Sequence, residues 1–226
     1  MAIAYFNGQL VPREEVRLSP DDRGFLFADG VYEVVRVYGG LPFALDLHRA
    51  RLARSLREIR LGWAGIADLE PIVRRLLAAN DLDRVDALVY LQVTRGVAPR
   101  LHAFPPADTP STVYVSARPY PARAAPGSSA GEATAVLAPD IRWARCDIKS
   151  VGLLPNVLAR QRALERGADE AIFVRDGIVT EGTRTNVAAV IGGVLVTNPL
   201  TNVVLPGVTR EIVLSCCADV GVPVAE

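Results

Sequence analysis

The sequence predicts a mixed α+β protein of two domains. Three observations carry that prediction. Short runs alternate apolar and polar residues between Gly and Asn turn signals, longer runs repeat apolar residues at helical spacing, and one stretch without periodicity divides the 226-residue chain.

Taken in order, A-Y-F-N-G-Q-L-V-P places Asn7-Gly8 between apolar runs, a strong hairpin signal. V-Y-E-V-V-R-V-Y-G-G-L-P-F-A-L repeats the pattern with Gly39-Gly40 at its turn. Alternation there puts Tyr32, Val34, Arg36 and Tyr38 on one face, and Val31, Glu33, Val35 and Val37 on the other. D-L-H-R-A-R-L-A-R-S-L-R-E-I-R-L carries Leu52, Leu56 and Ile59 at helical spacing. A second amphipathic helix is built on Ile72, Val73, Leu76 and Leu77. The runs A-L-V-Y-L-Q-V-T-R-G and S-T-V-Y-V-S-A read as strands.

Residues 119–131 are rich in Pro, Gly, Ala and Ser and read as a linker between domains at 1–118 and 132–226. The second half restarts with a strand, A-T-A-V-L-A-P, then a helix, N-V-L-A-R-Q-R-A-L-E-R-G. A hairpin-like region follows, and L-P-G-V-T-R-E-I-V-L-S-C-C-A-D-V-G closes as a helix. Strands and helices in both halves imply two domains with a ligand-binding cleft between them.

Composition narrows the function classes. Formal charge is zero with both signs interspersed, which argues against a nucleic-acid surface. The apolar runs are too short or too interrupted by Gly to span a bilayer, and no basic leader region opens the chain. Cys146, Cys216 and Cys217 are odd in number and lack paired spacing. With only His48 and His102 beside them they do not suggest a zinc cage. The expectation is a soluble cytoplasmic protein with no nucleic-acid or membrane partner.

Lys149, in R-W-A-R-C-D-I-K-S, is the single lysine among 25 Lys and Arg residues. It is either a lysine left by chance in an arginine-biased chain or an amine that must lose its proton and attack a carbonyl, which guanidinium does not do. The apolar Ile148 and residues 151–154 are expected to desolvate it. In V-T-E-G-T-R-T-N, Glu181 is either part of a turn or a carboxylate that holds the ring nitrogen of a pyridine cofactor in its protonated form. In L-P-G-V-T-R, Gly207 permits close backbone approach and Thr209 is the expected N-cap. The start of that helix is either ordinary or a phosphate site. Arg100 and His102, in R-G-V-A-P-R-L-H, form a candidate carboxylate clamp.

Five ordered stretches together carry a resemblance. They are D-D-R-G-F-L-F-A-D-G-V-Y-E-V-V-R-V-Y (21–38), V-T-R-G-V-A-P-R-L-H (93–102), D-I-R-W-A-R-C-D-I-K-S (140–150), V-T-E-G-T-R-T-N (179–186) and L-P-G-V-T-R (205–210). The chain resembles the D-amino-acid transaminases of the branched-chain-aminotransferase-like superfamily, the fold-type IV pyridoxal-phosphate enzymes. That resemblance implies a small N-terminal α/β domain and a larger C-terminal domain, with pyridoxal 5'-phosphate in the interdomain cleft. It implies that Lys149 joins the cofactor as a Schiff base and shuttles the proton, and that Glu181 binds the pyridine nitrogen. Arg51, the backbone of Val208, and Thr209 hold the phosphate in this reading. Leu205 lies against the ring and Arg142 sits near its phenolic side. Tyr32, Arg100 and His102 bind the substrate carboxylate. Arg100, His102 and Tyr90 would come from the neighbouring subunit, so a homodimer is implied. The implied substrates are D-amino acids such as D-alanine and D-glutamate, with a 2-oxo acid such as 2-oxoglutarate as acceptor.

Two features depart from the family pattern. Arg184 stands where a small hydroxyl residue is expected and would add an anion contact for dicarboxylic substrates. The sequence also stops at G-V-P-V-A-E, short of the family's usual C-terminal segment. The alternatives are another fold-type IV enzyme (branched-chain L-amino-acid transaminase, (R)-amine transaminase or aminodeoxychorismate lyase) or a cofactor-binding, inactive remnant.

Overall fold

The computed structural model describes residues 1–120 and 132–226; of the expected linker only Pro119 and Tyr120 lie among them. The chain divides into two compact units. One is Met1–Gly127 with Lys149–Gly152, the other Ser128–Ile148 with Leu153–Glu226.

The first unit is a six-stranded sheet with helices on one face. In chain order it contains β1 (Ile3–Phe6), β2 (Gln9–Pro12), α1 (Arg23–Phe27), β3 (Gly30–Tyr38), β4 (Leu41–Pro42), α2 (Leu45–Glu58), α3 (Leu69–Ala79), β5 (Ala87–Thr94) and β6 (Thr112–Pro119). The strand order is β2-β1-β6-β5-β3-β4, every neighbour antiparallel. Asn7 (φ 47°) and Gly8 (φ 98°) make the first turn, as the sequence suggests, because a two-residue primed turn needs positive φ at both positions. On β3 the alternation is as expected: Val31, Glu33, Val35 and Val37 are buried, whereas Tyr32, Val34 and Arg36 are only partly so. Helix α2 packs on β3 and buries His48, Leu52, Ser55 and Leu56. Helix α3 packs on β1 and β6 through Leu69, Ile72, Val73, Leu76 and Leu77. Each such aliphatic side chain taken from water contributes about 1.5–3 kcal/mol.

Residues 149–152 join this sheet rather than the segments that flank them. The Tyr32 N–H donates to the Lys149 carbonyl (3.0 Å), the Val151 N–H donates to Gly30 (3.1 Å), and Ser150 bridges Val31. The backbone of Lys149 is thereby fixed beside the start of β3.

The second unit contains β7 (Ala135–Pro139), α4 (Leu154–Glu165), β8 (Glu170–Arg175), β9 (Ile178–Gly182), β10 (Ala188–Ile191), β11 (Val194–Thr197), α5 (Val208–Asp219) and β12 (Val224–Ala225). Strand β8 lies between β7, parallel to it, and β9, antiparallel to it. Asp176 (φ 52°) and Gly177 (φ 80°) turn the chain between β8 and β9. Ala159, Ala163, Ala168, Ala171 and Phe173 form a core beneath α4, with Phe173 fully buried. A second sheet has the order β10-β11-β12.

One local expectation is corrected here. The N-cap of α5 is Gly207, not Thr209, which lies inside the first turn. The Gly207 carbonyl already accepts from the Glu211 N–H (3.0 Å), so the helix has begun two residues earlier than the hydroxyl suggested.

Candidate active site

In the first unit the sheet face opposite α2 presents Tyr32 from β3 and Tyr90 from β5. Their rings stack with centroids 5.8 Å apart, because the register pairs Val34 with Tyr90 and leaves Tyr32 on the diagonal. Lys149 Nζ lies 4.3 Å from the centre of the Tyr32 ring. This ring supplies the apolar cover expected of residues 151–154, of which Gly152 and Leu154 are exposed. The Tyr90 hydroxyl donates to Gln92 Oε1 at 2.6 Å. Burial, with smaller contributions from Tyr32 and Tyr114, pushes the Tyr90 phenol up to about 12, so it stays neutral at physiological pH.

On the other face of β3, Glu33 is 1% exposed and grips Arg51 with both oxygens, Nε to Oε1 at 2.8 Å and Nη2 to Oε2 at 2.7 Å. His48 Nδ1 lies 2.7 Å from Glu33 Oε2. Burial alone would raise the Glu33 carboxyl, but Arg51 and His48 hold it below its ordinary value. Arg51 is therefore an oriented guanidinium. Its orientation depends on Glu33, which the strand alternation places on the face of β3 opposite Tyr32 without giving it a role. An acid at a buried strand position facing a helical H-x-x-R was the available signal.

Arg100 and His102 are exposed on the loop after β5. Both lie against Phe27 at the end of α1: Arg100 Cζ is 5.3 Å from the ring centre, and the His102 ring centroid is 5.5 Å away.

The second unit gathers Glu181, Arg142 and Leu205. Glu181 is 6% exposed and forms an ion pair with Arg142 through Oε1. Its Oε2 accepts from the Leu205 N–H (3.0 Å) and from Asn186 Nδ2 (3.2 Å). Burial pushes the Glu181 carboxyl up, while Arg142 and the Leu205 N–H oppose that shift. Arg142 is itself fixed by Asp140, which it meets with Nε at 2.9 Å and Nη2 at 2.8 Å, and it stacks on Phe173 at 4.5 Å. Burial would lower Arg142, but Asp140 and Glu181 hold it above its ordinary value. Asp140 and Asn186 were absent from the residues singled out in the sequence. Both sit within the motifs quoted, and only their contacts distinguish them.

The T-E-G-T-R-T-N segment is a tight turn. The Gly182 N–H donates to the Thr185 carbonyl (2.7 Å), and Glu181 bridges Asn186. Arg184 is exposed at its tip. Asn186 Nδ2 also reaches the Leu205 carbonyl (2.9 Å), tying this turn to the approach to α5. A Cβ on Gly207 would meet Asn186 Oδ1 at 1.9 Å, so the glycine is required by close approach rather than by its φ of −73°. The N–H groups of Val208 and Thr209, in the first turn of α5, have no intrahelical acceptor and carry the positive end of the helix.

The chain is 44% identical over 217 residues to a D-alanine aminotransferase of Bacillus licheniformis, spanning 96% of this chain and 75% of that protein. In structure it is similar to a branched-chain aminotransferase of Thermoproteus uzoniensis solved with norvaline. That match has a TM-score of 0.84 and 27% identity, covering 100% of this chain and 77% of the other. It is also similar to a 4-amino-4-deoxychorismate lyase of Pseudomonas aeruginosa. There the TM-score is 0.80 at 29% identity, with 98% of this chain and 80% of the other covered. The profile described as Amino-transferase class IV matches residues 30–226, and the chain belongs to that family.

Proposed function

We propose that this chain is a pyridoxal-phosphate-dependent transaminase that moves the amino group of D-amino acids, of the D-alanine and D-glutamate class, to a 2-oxo acid such as 2-oxoglutarate. The observation that carries the reading is the 44% identity to a D-alanine aminotransferase over 96% of the chain. The residues fit the cofactor. A single lysine amine lies under an aromatic ring, a buried carboxylate is held by Arg142, the first turn of α5 has N–H groups suited to a phosphate, and Arg51 is a guanidinium oriented by Glu33.

When bound, the cofactor supplies a carbonyl carbon that bonds to an amine and a ring that withdraws electrons from it. Lys149 would give the amine that holds the cofactor and, when free, would carry the proton between the substrate Cα and the cofactor carbon that bears the nitrogen. Glu181 would accept a hydrogen bond from the cofactor's ring N–H and so keep that nitrogen protonated, with Arg142 opposing the effect of burial on the carboxyl. Arg51, the Val208 backbone and Thr209 would hold its phosphate, and Leu205 would pack against its ring. Tyr32, Arg100 and His102 hold the substrate carboxylate, and that side choice presents one enantiomer's Cα–H to Lys149.

Arg184 adds a second anion contact that favours dicarboxylic substrates. Two copies of the chain share their sites, with Arg100 and His102 supplied across the dimer, whereas Tyr90, which the family resemblance also assigns to the neighbouring subunit, stacks on Tyr32 of its own chain. The exposure of Arg100 and His102 supports this assignment. The three cysteines are free, which suits a reducing cytoplasm.

The test is the visible spectrum of the chain with pyridoxal phosphate before and after adding D-alanine without a keto acid. Conversion to the amine form of the cofactor by D-alanine, and not by L-alanine, is expected. Conversion by L-leucine alone would replace the reading with a branched-chain one.

A further inference from the structure

The contacts of the D-D-R-G-F-L-F-A-D-G stretch (21–30) reach the loop that carries Arg100 and His102. Arg23 is 3% exposed, a burial that guanidinium tolerates only when its donors are used. Its Nε donates to Asp29 Oδ2 at 2.8 Å. Its Nη1 donates to the carbonyl of Leu101 at 2.6 Å and to that of Ala103 at 3.3 Å. Leu101 is the residue between Arg100 and His102, so Arg23 grips the peptide that joins them. The Arg23 backbone N–H donates to Gly96 at the root of the same loop (2.9 Å).

Asp29 anchors this grip from behind. It accepts from Arg95 Nε (2.8 Å) and Nη2 (2.9 Å) as well as from Arg23. Burial would raise its carboxyl, but the two guanidinia hold it below its ordinary value. Arg95 in turn donates to the carbonyls of Arg60 (3.0 Å) and Ile59 (2.7 Å), and its guanidinium covers the Phe104 ring at 3.9 Å. At the surface end, Phe27 has Arg23 at 4.9 Å, Arg100 at 5.3 Å and the His102 ring at 5.5 Å. An aromatic face attracts cations and restrains long side chains that water would leave free. The loop between β5 and β6 contains no helix or strand, so its shape rests on such anchors.

We propose that Arg23, Asp29 and Phe27 are positioning residues for the Arg100–His102 pair: Arg23 on Asp29 fixes the peptide between the two side chains, and the Phe27 ring sets their direction. The inference rests on the reading that this pair binds the substrate carboxylate.

The test uses Arg23→Lys and Phe27→Leu in the full chain with cofactor bound. Lysine keeps the charge but cannot reach Asp29 and Leu101 together. For both variants we expect the KM for D-alanine to rise about tenfold with kcat within about twofold. We also expect faster amide exchange at residues 97–104 in Arg23→Lys. On an Arg100→Ala/His102→Ala background, Phe27→Leu should add no further rise in KM.

A wild-type KM in folded Phe27→Leu, or a full further rise on the double-alanine background, would overturn the proposal. If Arg23→Lys does not fold, Phe27→Leu decides alone, since it leaves the Arg23–Asp29–Arg95 ion pairs in place. If the double-alanine variant itself keeps the wild-type KM, the carboxylate reading fails. If its KM rises while Arg23→Lys and Phe27→Leu match wild type, only the positioning role fails.

Discussion

Lys149 Nζ sits 4.3 Å from the centre of the Tyr32 ring, and the Tyr32 N–H bonds the Lys149 carbonyl at 3.0 Å. One residue of β3 thus fixes both the backbone and the amine of the lysine. Lys149→Arg keeps the charge and the ring contact but removes the nucleophile. We expect its melting temperature to stay within a few degrees of wild type. Transamination and the visible band of lysine-bound cofactor should be lost. Retained turnover would refute the assigned role.

Glu33 orients Arg51 through two hydrogen bonds from a fully buried position. Replacing Glu33 by Gln leaves one oxygen for two guanidinium donors and removes the buried countercharge. The expected loss is on the order of 3 kcal/mol in stability, because one partner of a buried pair remains uncompensated. Affinity for pyridoxal phosphate should fall more than affinity for pyridoxal, which lacks the phosphate. Equal losses for the two, measured by absorbance titration, would detach Arg51 from the phosphate.

Asp140 has a fully buried carboxylate held at about 2 by Arg142 and Thr180 against the upward push of burial. Its folded value lies below its unfolded one, so it stabilises the fold above about pH 4. That contribution, on the order of 2 kcal/mol, is lost as pH falls toward 2. Asp140→Asn should lower stability at pH 7 and flatten the acid limb of a melting-temperature profile. An unchanged slope between pH 4 and pH 2 would show that the pair with Arg142 contributes nothing.

Gly207 leaves room for Asn186, whose Oδ1 would lie 1.9 Å from an added Cβ. Gly207→Ala should therefore cost about 1–3 kcal/mol through overpacking. Asn186→Ala should relieve most of that cost, giving a non-additive double-mutant cycle in denaturant melts. Additive losses would place the clash elsewhere.

Arg184 stands exposed at the tip of the turn that follows Glu181. Arg184→Ser should leave stability within about 0.5 kcal/mol, as exposed substitutions do. It should lower the ratio of D-glutamate to D-alanine activity by several-fold. An unchanged ratio would remove the proposed second anion contact.

Much of this molecule was legible in the sequence, because local rules wrote it there. Asn7-Gly8 and Gly39-Gly40 announce their turns through the positive φ that only such residues adopt readily. The alternation along β3 separates Tyr32 from Glu33, since a strand sends successive side chains to opposite faces. The α2 and α3 stripes follow from helical spacing. The single lysine stands out in a chain that otherwise uses arginine.

What the tertiary structure alone decided are contacts between residues distant in the chain. Residues 149–152 join the sheet of the first unit through backbone bonds to Gly30 and Tyr32. Tyr90 meets Tyr32 through strand register, Glu33 reaches Arg51 across the sheet-to-helix packing, and Arg23 grips Leu101 from 78 residues away. No periodicity encodes such pairings. They are set by which polar groups must be satisfied once the apolar faces have been buried. Thr209 illustrates the difference. Its hydroxyl looked like a cap in the sequence, yet the Gly207 carbonyl already accepts from the Glu211 N–H, so the helix starts earlier.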